Sequence, residues 1–347
     1  MSVEKSTKAV PDLSSEGATE LIGSAPKLVG AGDTVLRVIS KYGTVIVLVG
    51  LIIGFSAAKP DLFPTSTNFV NIMSGVAVTA VISCGLTIAL VAGVFDLSIG
   101  YVASFAGVLV TGLMSNQHLG IIPAILISLL VCGGIGLVNG LVVTKAGVNS
   151  FVATLGVGTI VIGMTFAYSS GIPVSMGVPP SFTEFSLREV LSVPVPVLIA
   201  IGVAIVLWVF LERTVLGQNI QAVGGNPVAA NLAGISVAKS QSIGLVLSSL
   251  GAGAGGILLA SSLGSGQTTA GDGYLLSCFA AAFLGSVAMR DGEFHIIGTI
   301  IGVITVGVGF SGLAVLGTAT YSQYFFNGGL LVTAMALSTV ARRLVAR

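Results

Sequence analysis

The chain has 347 residues, of which 54 % are hydrophobic and only 8 % charged, with a mean hydropathy of +1.05. Soluble domains carry about 25 % charged residues, so the composition excludes an ordinary water-soluble globule and points to lipid as the solvent. A formal net charge of +1 gives no bulk attraction to nucleic acid, and no nucleic-acid partner is expected.

Residues 1 to about 40 are polar, carry both signs of charge and lack the short apolar core of a signal peptide. They read as a polar cytoplasmic N-terminal tail. Residues 41–347 read as one transmembrane domain. From Leu62 to Thr144 the sole acidic or basic residue is Asp96, and Ala146–Thr183, Val190–Leu211, Ser240–Gly271, Gly273–Met289 and Phe294–Ala341 have none. A helix needs about 20 apolar residues to cross the hydrocarbon core, and helices satisfy their own backbone groups there. The predicted fold is therefore an all-α polytopic membrane bundle. Its roughly ten spans are 42–58, 69–92, 98–115, 121–143, 151–170, 194–211, 240–263, 274–289, 296–315 and 322–341. The junction Ala92–Ser98 leaves no room for a loop of ordinary length.

With the N-terminus inside, twelve cationic residues fall on the cytoplasmic side: Lys5, Lys8, Lys27, Arg37, Lys41, Lys145, Arg213, Lys239, Arg290, Arg342, Arg343 and Arg347. Lys59 and Arg188 fall outside, completing the 14. The positive-inside rule then predicts two cytoplasmic termini and an even number of spans. Two connections are long. The external loop 171–193 holds Pro179 and Pro180, then Glu184, Arg188 and Glu189 at helical spacing. These three are expected to dock an external partner, with simple pairing of Glu184 and Arg188 as the bland alternative. The cytoplasmic loop 213–239 holds Gly224-Gly225-Asn226-Pro227, where Asn226 can cap a short helix with Pro227 at its first position.

In chain order, Asn71, Gly75, Thr79, Ser83 and Thr87 recur every four residues down the second span. Such a stripe either lines an aqueous pathway or bonds between helices. Asn139, Gln267 and Asn327 are similar pathway candidates. Asp96 and Ser98 either cap the third span or act in gating, and the topology puts them near the cytoplasmic edge. Gly298, Gly302, Thr305, Gly309 and Gly312 form a small-residue seam for close helix packing, as do Gly136–Gly140 and Gly251–Gly255. The cysteines Cys84, Cys132 and Cys278 lie in apolar stretches and read as small hydrophobes. The dipeptide Gly-Lys is absent, which excludes a P-loop. Two histidines, His118 and His295, support neither a metal site nor a catalytic triad, so no catalytic, cofactor-binding or metal residue is expected.

Four stretches together resemble the ribose-type permeases of bacterial ABC importers. Phe95–Gly100 is similar to I-D-L-S-V-G. Asn139–Lys145 with Phe151–Gly156 is similar to N-G-L-L-V-T-K followed by F-I-A-T-L-G. Gly224-Gly225-Asn226 with Ala229, Ala230, Gly234 and Ile235 is similar to G-G-N-x-x-A-A-x-x-x-G-I. Thr269–Tyr274 with Gly298–Gly302 is similar to T-A-G-x-G-Y followed by G-T-x-I-G. The likeness spans most of 42–341. Departures are Phe95 for a small aliphatic, Ala92-Gly93 for a Gly-Gly-like pair, and Leu275-Leu276-Ser277-Cys278 for a more acidic run. The resemblance implies a permease dimer, most simply a homodimer, in the bacterial inner membrane, served by a cytoplasmic ATPase subunit and an external substrate-binding protein. ATP is used by the partner and no cofactor is bound by this chain. Asn226, Pro227, Ala229, Ala230, Asn231, Gly234 and Ile235 would meet the ATPase, and neutral amides and hydroxyls would suit a sugar. The rival reading is an ion-coupled secondary transporter, for which only Asp96 could serve.

Overall fold

The computed structural model describes residues 31–288 and 292–345, with side chains for 42–288 and 292–336. The predicted tail up to residue 30, together with Arg290 and Arg347 of the positive-inside count, lies outside the described residues. Residues Ile39–Arg347 form one compact unit, and Met1–Val38 are assigned to another. The described chain is almost wholly helical: α1 (Ala31–Ala58), α2 (Ser66–Val91), α3 (Ile99–Ser115), α4 (Ile121–Thr144), α5 (Ser150–Ser169), α6 (Pro180–Leu187), α7 (Val195–Arg213), α8 (Val215–Gly225), α9 (Pro227–Leu232), α10 (Val237–Leu263), α11 (Asp272–Val287), α12 (Ile296–Val315) and α13 (Tyr321–Val345). One antiparallel hairpin, β1 (Glu189–Val190) with β2 (Val193–Pro194), interrupts it.

Six helices, α2, α4, α5, α7, α10 and α12, are long and apolar enough to cross a membrane. The apolar parts of α1, α3 and α11 are shorter. The chain is thus a polytopic helical membrane protein. Leu130 on α4 is 75 % exposed, and Ile160 on α5 and Val206 on α7 are also exposed. Apolar side chains turned outward on apolar helices are what a lipid-facing surface requires.

Helix α10 is central and packs on α2, α3 and α4, while α11 lies against α2, α12 and α13. Small residues permit this closeness. A Cβ on Gly85 would lie 2.9 Å from the Cα of Gly251, so α2 and α10 touch backbone to backbone. A Cβ on Gly302 would lie 1.9 Å from the Ala281 carbonyl oxygen, which shows the predicted α12 seam in use against α11.

The α2–α3 junction is a non-helical turn opened by Gly93 at φ +78°. Its backbone donors are satisfied from α5: Phe95 N–H donates to Ser150 Oγ (3.2 Å) and Leu97 N–H to Thr154 Oγ1 (3.0 Å). That is the condition for irregular backbone inside a bundle. The external loop differs from expectation. Helix α6 ends at Leu187, so Arg188 and Glu189 lie beyond it in extended backbone and do not share a helical face with Glu184. The cause is local. Val193 precedes Pro194 and is restricted to extended backbone, and Val190 pairs with it across the hairpin. Leu191 and Ser192 make the turn with φ of +53° and +63°.

Candidate translocation site

Asn71, Gly75 and Thr79 of the predicted α2 stripe face a cavity of about 540 Å³ between α2 and α12, whereas Thr87 is buried and its hydroxyl pairs with that of Thr299 (2.7 Å). Asn68, Asn71, Gly75 and Thr79 line it from α2, and Phe310 and Ser311 from α12. Asn68 Nδ2 donates to the Phe63 carbonyl (2.9 Å) and its Oδ1 accepts from Ser311 Oγ (2.9 Å), so Asn68 ties the start of α2 to the end of α12. Asn71 is exposed and takes no part in that tie. Every lining residue is uncharged. The cavity therefore offers amides, hydroxyls and one aromatic ring, within the roughly 300–1,000 Å³ usual for small-molecule sites. Asn68 and Ser311 escaped the sequence reading. The four-residue recurrence began at Asn71, and Ser311 sits inside the glycine seam, where packing explained it.

The other predicted pathway residues go elsewhere. Ser83 is wholly buried, one turn below Thr79. Asn327 is buried on α13 and its Nδ2 donates to Ser277 Oγ of α11 (2.9 Å). Gln267 is exposed on the non-helical segment between α10 and α11. Asn139 is fully buried, and its Nδ2 donates to Ser98 Oγ (3.0 Å).

Asn139 thereby joins a polar knot around Asp96. The Ser98 hydroxyl and N–H both donate to Asp96 Oδ1, at 2.5 and 3.0 Å, which fixes the turn entering α3. Asp96 Oδ2, Asn139 Oδ1 and the Ser248 hydroxyl complete no hydrogen bond, although Ser248 lies beside the carboxylate. Ser248 is close to the middle of the 27-residue α10. The knot is therefore inside the helix bundle, packed against the middle of α10. The chain climbs back through Ala92–Ser98 before α3 begins, which spacing alone does not reveal.

A second cavity, about 700 Å³, lies among α4, α6, α7 and α10. Its walls are apolar apart from Gly120, Ser181 and Ser261, and the Ser261 hydroxyl already donates to the Phe182 carbonyl. It has little with which to orient a polar solute.

The coupling loop forms as predicted locally. Asn226 Oδ1 accepts from Ala229 N–H (3.0 Å), Pro227 opens α9, and Gly234 closes the motif at φ +83°. Ala230 is buried, whereas Ala229 and Asn231 are exposed, as are Val228 and Leu232, the latter by 84 %. Gly224, at the end of α8, abuts α2: a Cβ there would lie 1.7 Å from the Val91 carbonyl oxygen. In the loop 171–193, Glu184, Arg188 and Glu189 are exposed, and no ion pair joins Glu184 to Arg188 among the described residues. Among the same residues no cluster of His, Cys, Asp or Glu could hold a metal ion.

The chain is a multi-pass helical bundle that encloses a neutral polar cavity between α2 and α12, an arrangement that suits a membrane transport protein. A family model described as "Branched-chain amino acid transport system / permease component" matches residues 68–335, and the chain belongs to that family. It is 32 % identical over 297 residues to the D-allose transport system permease protein AlsC of Escherichia coli K12, covering 86 % of this chain and 91 % of the relative. It is 33 % identical over 303 residues to the ribose import permease protein RbsC of Bacillus subtilis 168, covering 86 % and 93 %. Identity to the L-arabinose ABC transporter permease protein AraH of Azospirillum brasilense is 30 % over 308 residues, covering 89 % and 90 %. No solved structure gives a significant match. The chain is accordingly a permease component of an ABC importer, a multi-pass protein of the bacterial inner membrane.

Proposed function

We propose that this permease imports a monosaccharide by alternating access, in ten spans with both termini cytoplasmic. The ten helices α1–α5, α7 and α10–α13 coincide with the ten apolar stretches of the sequence. Two copies form the channel, a cytoplasmic ATPase subunit docks on α9 and hydrolyses ATP, and an external binding protein docks over the loop 171–193 through Glu184, Arg188 and Glu189. Asn71 and Thr79 line the pathway. Asp96 and Ser98 hold the α2–α3 turn on which gating acts.

The observation that carries the reading is the uncharged lining of the α2–α12 cavity. A zwitterionic amino acid brings two full charges, and burying them without partners is costly. A polyol brings only hydroxyls, which neutral amides and hydroxyls satisfy. The relatives named for allose, ribose and arabinose support the same choice over the amino acids of the family's description. The test is uptake by proteoliposomes holding the permease with its ATPase and binding protein. ATP-dependent accumulation of radiolabelled D-ribose, D-allose or L-arabinose is expected. Accumulation of leucine with none of the sugars overturns the reading.

A further inference from the structure

Helix α10 ends at Leu263 and α11 begins at Asp272, and the eight residues between them do not simply turn at the surface. They run back along α3. At Gly266 a Cβ would lie 2.5 Å from the Gly107 carbonyl oxygen and 2.2 Å from Thr111 Oγ1. At Gly271 it would lie 2.0 Å from the Gly100 carbonyl oxygen. Ser104 Oγ accepts from Gly271 N–H (2.8 Å) and seals the lower contact. From Thr111 to Gly100 the helix α3 rises about 16 Å. The segment is therefore a re-entrant stretch, held to α3 by glycine backbone at both ends. Helix α11 has only 16 residues, about 24 Å, which is less than the roughly 30 Å of hydrocarbon. It starts part-way down. The Thr79 carbonyl accepts from Cys278 Sγ (3.8 Å), and α2 and α11 run in the same direction on the proposed topology. Asp272, six residues before Cys278, thus lies within the depth spanned by Asn71 to Thr79.

At that depth Gln267, Thr269 and Asp272 are exposed on the chain's surface, and Asp272 has no ion pair among the described residues. Irregular backbone and a bare carboxylate do not face lipid. Something wet or polar must cover them. Asp272 also fills the one unspecified position of the T-A-G-x-G-Y pattern, where a residue can set selectivity without altering the glycine contacts.

Resting on the permease reading above, we propose that Gln267, Thr269 and Asp272 form a wall of the aqueous solute pathway, with the Asp272 carboxylate a specificity-determining acceptor for cargo hydroxyls. A lone carboxylate accepts hydroxyl hydrogens well, and among the described residues no cation pairs with it to receive an anionic group.

Single-cysteine accessibility tests the wall, using the assembled transporter in proteoliposomes and the anionic, membrane-impermeant reagent methanethiosulfonate ethylsulfonate. The native Cys84, Cys132 and Cys278 are buried and set the baseline. Thr269→Cys and Asp272→Cys are expected to react at least ten-fold faster than Leu130→Cys, which is exposed on the apolar face of α4. Equal rates overturn the pathway assignment, whatever the cargo. Asp272→Asn is expected to lower uptake of whichever of D-ribose, D-allose or L-arabinose the wild type imports by about ten-fold at equal permease abundance. Asp272→Glu, which keeps the stronger, charged acceptor that Asn lacks, is expected to restore at least half. Wild-type uptake by Asp272→Asn, or equal failure of both variants, overturns the cargo contact. Import of none of these sugars by the wild type tells against the permease's assigned cargo and leaves the accessibility result standing.

Discussion

At the scale of single residues, two asparagines and one buried acid show why a stripe or a lone acid is ambiguous until neighbours are known. Asn71 and Asn139 have the same side chain in equally apolar surroundings, yet one borders a cavity and the other is locked to Ser98. Four-residue spacing reports a helix face and is silent on what that face meets. Asp96 divides by atom: Oδ1 is committed to Ser98, and Oδ2 has no hydrogen-bond partner. The sequence reading offered capping and gating as alternatives; Asp96 bonds the N-cap residue Ser98 itself, and among the described residues no side chain caps the first N–H groups of α3. Asp96→Asn keeps an oxygen acceptor for Ser98, whereas Asp96→Ala removes it. Losing bonds to a buried turn costs about 1–3 kcal/mol, so Asp96→Ala is expected to lower the melting temperature of the purified permease by several degrees. Asp96→Asn is expected to stay within two degrees or so of the wild type. Thermal melts in detergent check this, and equal melting of the Ala variant and the wild type discards the structural role. Asp272 had its own signal, being the one charged residue between Ser240 and Met289. That signal was absorbed into a motif and not weighed for itself.

At the scale of elements, the apolar runs gave helix positions to within a few residues, because a membrane helix is specified mainly by length and apolarity. The exception is α1, which begins at Ala31 inside the predicted polar tail. The short cytoplasmic motif was equally legible: an Asn-Pro start and a glycine stop describe α9 fully. What spacing could not supply was which residues of α9 point outward. Ala230 is tucked in, so a bulky charge there would damage the loop's own packing before it touched any partner. Val228 and Leu232 are the outward pair, and burying a leucine contributes about 1.5–3 kcal/mol. Leu232→Asp is expected to weaken co-purification of the ATPase subunit ten-fold or more while leaving the permease's melting temperature unchanged. Undiminished co-purification moves the ATPase contact away from α9. The external loop was the least legible element. Prolines placed α6, but the hairpin after it depends on two residues, Leu191 and Ser192, in backbone that neither side chain favours.

At the scale of the whole molecule, topology follows from charge asymmetry and depth does not. Ten spans with cytoplasmic termini predict that a cysteine at Ser181 reacts only with reagent added outside, and one at Leu232 only with reagent added inside. Membrane-impermeant maleimide applied to right-side-out and inverted vesicles checks both, and the reverse pattern would refute the topology. Depth was hidden because the chain doubles back twice, before α3 and before α11, and hydropathy averages over such reversals. The contact of Gly224 with the Val91 carbonyl carries one more consequence. It is backbone on backbone, with no side chain between to flex. Helix α2 then runs 26 residues, about 39 Å, to the end that bears Asn71 and Gly75. A joint without padding at one end of a stiff rod makes a lever: a small tilt of α8 is expected to pass straight to α2 and, about the close α2–α10 contact at Gly85 as pivot, to move the cavity wall at the far end.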